Sequence, residues 1–473
     1  MNGSPVLRLR GIRKTFPSVV AVDGVDLDLF SGEIHALVGE NGAGKSTLAA
    51  IAFGELRADR GTVEANGTVG LVHQHFELVG RLRVWQNVLL GREPRRGWRI
   101  DVGAARRRVF ELAKTNDLAI DPDAFVDELP VGVQQRVELL RELEREPKIL
   151  LLDEPTAALA PAEIDGFFAT VVQLAKRGTA VLIVTHKLQE VISYSARVSV
   201  MRHGKIVAAM QTSETSIDAI ARAMVGGELP RIAERANTTL QPCLTVRGLR
   251  AGSAEGGVSS IDLDVQSGEI VGVAGVEGNG QTALADAIAG MIPYRGTVAF
   301  AQRRTLSVVP QDRHLEGLVL NFSVAENAVL GRQKLPSLRH GALLDRARAR
   351  ADARAIVERF DVRTPSIDTR VRALSGGNQQ KLLVGRALID HPSFVLAYNP
   401  TRGIDVGAAA LVQSRLLEAR NGGVAILLIS FDLDEVLALS DRICVMYRGA
   451  IAGRFDRAGV DRAVIGRLMA GSR

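Results

Sequence analysis

The sequence predicts an α/β fold built twice. Each copy is a mostly parallel sheet covered by helices, with a helical subdomain beside it. Three observations carry this. A glycine-rich loop, Gly39-Glu40-Asn41-Gly42-Ala43-Gly44-Lys45-Ser46-Thr47, follows the apolar run Ile34–Val38 and opens a helix-like stretch at Ser46. The loop nearly recurs as Gly275-Val276-Glu277-Gly278-Asn279-Gly280-Gln281-Thr282. Downstream, helical and strand patterns alternate: Ile164, Phe167, Phe168, Val171 and Val172 follow Pro161 at helical spacing, and the run Ala180–Val184 follows Gly178. Such alternation implies parallel strands joined by covering helices.

The strand–loop–helix context is what a phosphate-binding loop requires. Its glycines let backbone N–H groups converge on phosphate oxygens, and the helix N-terminus adds favourable partial charge. Lys45 would reach the β- and γ-phosphates, and Ser46 would give an oxygen to Mg²⁺. The second copy has Gln281 where the first has Lys45.

The repeat extends well beyond the loop. Leu7–Ile12 aligns with Leu244–Leu249, Ser31–Ile34 with Ser267–Ile270, and Val200–Gly204 with Val445–Gly449. The numbering offset grows from 236 at the loop to 245 near the ends, so the extra residues lie in the middle of the second copy. The expected domains are 5–228 and 243–473, with 229–242 as linker; the wider junction, about Gln211 to Gln241, holds one polar, helix-like piece and Pro230. The charged, arginine-rich stretch of about 81–128 reads as the helical subdomain.

Composition narrows the partners. At 473 residues and 46% hydrophobic, the chain can bury large cores, but no apolar run approaches a membrane span. Met1–Pro5 lacks the apolar core of a signal peptide, and two cysteines, Cys243 and Cys444, fit a reducing compartment. The net charge of +6 is mild, and with 4% aromatics a base-stacking platform is not expected, so neither is a nucleic-acid partner.

Other chemistry sits at strand ends. Ile149–Leu152 is an apolar strand running into Asp153-Glu154. These carboxylates suit a strand-to-loop turn, or a Mg²⁺ shell (Asp153) and a water attacking the γ-phosphate (Glu154). His186 ends the next strand, where it can bond the γ-phosphate and that water. Gln74 ends the strand 70–72 and can touch Mg²⁺ and water. Its neighbours His73 and His75 have no Cys or carboxylate partner near in sequence, so a zinc site is not expected. Phe16 is either a core aromatic or a stacking surface for adenine.

Leu374-Ser375-Gly376-Gly377-Asn378-Gln379-Gln380 resembles the signature of ATP-binding cassette (ABC) proteins. With the phosphate loop, Gln74, Asp153-Glu154 and His186, it makes the chain similar to two tandem ABC ATPase domains. More closely, it resembles the tandem ATPase subunits of bacterial sugar and nucleoside importers. Val72–Phe76, Met224-Val225-Gly226 and Pro400–Asp405 support this, and His73–Phe76 with the stretch from Asp312-Arg313-His314 to Asn327 looks most like the nucleoside branch. The resemblance implies ATP and Mg²⁺ as cofactors, two transmembrane permease subunits docking near Gln74 and Gln311, and an external substrate-binding protein reached indirectly. It places the chain at the cytoplasmic face of the membrane. A soluble tandem ABC protein acting in translation, or a non-catalytic scaffold, is the alternative; the first usually keeps two competent sites and a long charged linker.

The second copy departs from the family pattern. Tyr398 stands where the first copy has Asp153, Asn399 for Glu154 and Phe431 for His186, although Thr282 can still meet a metal. The first copy's own signature reads Pro130-Val131, without hydroxyl or N–H at 130 and with a Cβ at 131. In the head-to-tail dimers of the family, Lys45, Asp153, Glu154 and His186 would meet Ser375, Gly376 and Gly377. Gln281, Tyr398, Asn399 and Phe431 would meet Pro130-Val131. One competent and one degenerate ATP site are therefore expected.

Overall fold

The computed structural model describes residues 4–471, apart from 18, 75, 157–158, 160, 229–233, 237–238, 254–255, 302–305, 342 and 470. The chain divides into two compact units, residues 1–228 and 229–473.

In the first unit a six-stranded sheet runs Lys205–Gln211, Arg197–Arg202, Ile34–Gly39, Ala180–Thr185, Ile149–Asp153, Val69–Val72. Only the first pair is antiparallel. Ile34–Gly39, Ala180–Thr185 and Ile149–Asp153 are buried along their whole length. Both faces are covered, which is why these strands read as unbroken apolar runs. A smaller antiparallel sheet orders Val19–Leu29, Leu7–Phe16, Arg60–Ala65. One core joins its Leu9 and Leu27 to Leu48 and Ile51 of the helix Lys45–Phe53 and to Leu151 and Leu182 of the large sheet. Another packs Phe167, Phe168 and Val171 of the helix Pro161–Lys176 on Leu150, Leu152 and Ile183. The helix that starts at the phosphate loop is thus fixed by burial between two sheets.

The helical subdomain gathers Val84–Val88, Val102–Thr115 and Val131–Leu143 around Trp85, Val109 and Leu140. A two-stranded hairpin, Arg95–Arg96 with Arg99–Ile100, projects from it.

The second unit repeats the plan. Its large sheet orders Leu306–Val309, Phe394–Tyr398, Ala425–Ser430, Ile270–Ala274, Arg442–Tyr447, Ala450–Asp456, and its small sheet Val258–Gln266, Pro242–Ala251, Tyr294–Phe300.

The junction is more engaged than its polar sequence suggests. The helix-like piece is Ile217–Val225, capped by Ser216 and buried in the first unit through Ile220, Ala221 and Met224. Residues 234–236 are strapped to the second unit: Arg235 donates to Asp441 at 2.6 Å, and Asn421 Nδ2 to the Glu234 carbonyl at 2.7 Å. Pro230 lies outside the described residues.

Candidate active site

The site of the first unit is assembled at the ends of its parallel strands. Gly39 closes one strand, Asp153 another and Thr185 a third, so their loops share one rim of the sheet. Gly44 turns the chain into the helix with φ of 102°, and a Cβ there would lie 2.0 Å from the Ala21 carbonyl oxygen. No side chain caps that helix, which leaves its first turn to a ligand. Lys45 is buried and folds back over the loop, donating to the carbonyls of Gly39 (2.8 Å) and Glu40 (3.0 Å). Burial lowers its pKa, while Glu154, Asp153 and Glu40 oppose the shift.

Three expected residues converge on one another. Glu154 takes a left-handed φ of 47° and is anchored by its N–H to the Val184 carbonyl at 2.8 Å. Gln74 Nε2 donates to its Oε2 at 3.0 Å, and His186 Nδ1 lies 3.0 Å from its Oε1. The His186 hydrogen bond chiefly lowers the Glu154 pKa against desolvation, with charge from His186 and Lys45 adding to it. The group is therefore a carboxylate at neutral pH.

Asp153 is different. It is buried, burial raises its pKa, and Ser46 bonds to it. Its Oδ1 has no hydrogen-bond partner, a costly state for a buried carboxylate oxygen. A divalent cation between Ser46 and Asp153 would satisfy it, so these residues fit Mg²⁺. Phe16 is no core aromatic: it is 42% exposed at its strand end, with Lys14 Nζ 5.9 Å from the ring centre. Against the expectation of no carboxylate partner near in sequence, His73 has Glu77 3.6 Å away, four residues on, and its charge also acts on Asp153; His75 lies outside the described residues. A cavity of about 790 Å³ lined by Arg10, His35, Arg197 and Glu214 shares no residue with this site.

Residues 22–157 and 258–402 match the ABC transporter family. The chain belongs to that family. It is an ABC transporter ATPase, with two ABC cassettes in tandem. The nucleoside import ATP-binding protein NupA of Lactococcus lactis is 38% identical, over 100% of this chain and 99% of its own. The ribose import ATP-binding protein RbsA 1 of Rubrobacter xylanophilus is also 38% identical, over 99% of each chain. Among solved structures, archaeal ribosome recycling factor aABCE1, in complex with the stalk protein aP1, superposes with a TM-score of 0.70. It covers 98% of this chain and 92% of its own. At 18% identity that likeness shows the fold alone.

The second cassette keeps the backbone of the site and changes its contents. Asn399 has φ of 46° and donates its N–H to Ile429, as Glu154 does to Val184. Its side chain turns inward, however, and Oδ1 accepts from the Phe431 N–H at 2.9 Å. Thr282 faces a neutral hydroxyl where Ser46 faces a carboxylate. It lies 2.9 Å from the Tyr398 hydroxyl, and the Tyr398 ring, 4% exposed, packs edge-on against Phe431. Gln281 is buried, with Nε2 donating to Val276 at 3.0 Å. Gln311 and Arg402 both turn to Glu277, at 3.1 and 3.6 Å.

The two signatures differ at the start of their helices. Ser375 caps the helix Gly376–Leu388 and receives Asn378 Nδ2 at 2.9 Å. Pro130 gives the helix Val131–Leu143 no side-chain cap, and Val131 is exposed. Sequence reasoning took Arg313 only as a mark of the nucleoside branch and missed its place beside the signature. Its guanidinium donates to the Arg402 carbonyl at 3.1 Å and lies where a Cβ on Gly376 would come within 3.0 Å. The signal was in the repeat: the first cassette has Phe76 for Arg313 and Val131 for Gly376.

Behind the second site sits a buried ionisable group. Burial pushes the Glu435 pKa up to about 7, although Thr401 donates to it at 2.8 Å. Its counterpart Glu190 has Lys187 3.5 Å away, whereas the second cassette has Asp432 in the lysine's place. A carboxyl with its folded pKa above its unfolded value disfavours the fold progressively as pH rises from near 4.5 to about 7. Glu435→Gln should therefore raise the melting temperature at pH 8, by about 2–4 °C for each kcal/mol relieved. It should leave the melting temperature nearly unchanged at pH 4.5. Melting curves at both pH values check this, and an equal effect at both would contradict it.

Proposed function

We propose that this chain powers nucleoside import and hydrolyses ATP at one site, built on the phosphate loop of the first cassette. The convergence of Gln74 and His186 on an ionised Glu154, beside the unsatisfied Asp153, is what supports it. Lys45 exchanges the Gly39 and Glu40 carbonyls for the β- and γ-phosphates. Phe16 stacks on adenine, and the backbone N–H groups of 39–47 cradle the phosphates. Ser46 and Asp153, with Gln74, would hold Mg²⁺, which supplies charge neutralisation on the phosphates. Glu154 orients and polarises the attacking water, and His186 holds it. Ser375 and the backbone of Gly376 and Gly377 complete the site in the head-to-tail pairing implied by the family resemblance. The second site, with Gln281, Tyr398, Asn399 and Phe431, does not turn over.

Two permease subunits, docking near Gln74 and Gln311, are the proposed partners at the cytoplasmic face of the membrane. An external binding protein would deliver the solute. Among the described residues no helix is long and apolar enough to cross a membrane. Relatives at 38% identity include both a nucleoside and a ribose import protein, so overall identity does not choose the solute. The segments His73–Phe76 and Asp312–Asn327 favour nucleoside. Cells lacking this subunit should lose nucleoside uptake and keep ribose uptake. Loss of ribose or galactose uptake alone would move the assignment to a simple sugar.

A further inference from the structure

Between Leu90 and Phe110 the chain carries seven arginines and two carboxylates. Both carboxylates have local work: Glu93 accepts from the Gly91 N–H at 3.1 Å, and Asp101 caps the helix Val102–Thr115 through the Ala104 N–H. Arg92 and Arg108 pair with Glu144, and Arg106 with Asp123. Among the described residues Arg96, Arg99 and Arg107 pair with no carboxylate, while the charge of Arg95 acts on Glu93.

The hairpin also holds Trp98 outward, 83% exposed, with the Arg99 guanidinium 4.6 Å from its ring centre. Leu90, Ile100 and Phe110 are exposed nearby in sequence. An arginine run alone would be an ordinary solvated face. It does not account for the tryptophan, whose exposure forgoes a large burial gain, while the chain's other tryptophan, Trp85, is buried. A tryptophan ring flanked by unpaired guanidinium groups matches the chemistry of a membrane interface. There the ring lies at headgroup level and the cations meet lipid phosphates.

We propose that the hairpin Arg95–Ile100 of the first cassette docks on an anionic lipid surface. This is independent of which solute is carried. Charge complementarity selects lipid as the occupant: the hairpin offers positive charge and one insertable ring. A single-stranded nucleic acid would want a row of stacking aromatics. The matching hairpin of the second cassette exposes Leu343, but it has no tryptophan, and His340 lies 3.0 Å from Asp345, so the proposal concerns the first cassette only.

The test uses the full chain without permeases and vesicles of phosphatidylglycerol and phosphatidylcholine in equal parts, against phosphatidylcholine alone. The chain should sediment with the anionic vesicles only, and high salt should release it. In a Trp85→Phe background the remaining Trp98 emission should shift to the blue on binding. Combined Arg95→Gln, Arg96→Gln and Arg99→Gln should lower the bound fraction by about ten-fold or more, with ATPase activity and melting temperature unchanged. Equal sedimentation of this variant and the parent would overturn the proposal. So would an unshifted Trp98 emission, or binding that appears only when permeases are present, which would mark the hairpin as a protein contact.

Discussion

Glu154→Gln is expected to lower ATP turnover by about a hundred-fold or more while ATP binding persists. The substitution keeps the shape of the side chain and its two partners. The amide still offers one oxygen and one N–H to Gln74 and His186, which hold the carboxylate at 3.0 Å on either side. The loss is the negative charge that polarises water. Lys45, the phosphate loop and the Ser46–Asp153 pair are untouched, so affinity for ATP should change little. Rate and equilibrium binding measured on the same preparation separate the two effects. Near-normal turnover would show that another group activates the water.

The second large effect lies in the other cassette. Ser375→Arg should eliminate turnover, because it fills the signature face with a bulky cation. That face is already close-fitted: Ser375 receives Asn378, Arg313 lies against Gly376, and a Cβ on Gly377 would come 2.8 Å from Asp405. Val131→Arg, the matching change in the first cassette, should cost turnover less than about three-fold. Val131 is exposed, already carries a side chain, and belongs to a signature without a capping hydroxyl. In the head-to-tail reading it serves the site where Tyr398 and Asn399 replace the carboxylates. ATPase rates of both variants in the assembled transporter decide this. Equal losses would count against a single working site.

Much of this was legible in the sequence because the chemistry is local. A phosphate loop needs its glycines, a buried parallel strand is apolar along its length, and the carboxylates sit at the strand tip. The repeat then supplied an internal comparison, so the replacements at 281, 398, 399 and 431 could be read from the sequence alone. What those replacements do instead was not legible. The Tyr398–Thr282 contact joins residues 116 apart, and the inward turn of Asn399 depends on the Phe431 N–H across the sheet. The position of Arg313 beside the signature was hidden for a similar reason. Its partners, Arg402 and Gly376, come from separate segments, and only the fold makes them neighbours. The exposure of Trp98 was likewise hidden, since a tryptophan in sequence carries no sign of facing in or out.

On the proposed reading, one site of two hydrolyses ATP. This is tested most directly by counting the ADP trapped per chain when the assembled transporter turns over in the presence of orthovanadate, which mimics the transferring phosphoryl group and locks product only in a site that has completed hydrolysis. One ADP per chain, falling to none with Glu154→Gln, is the result predicted by the geometry of Glu154 and Asn399. Two per chain, or one that survives Glu154→Gln, would contradict it.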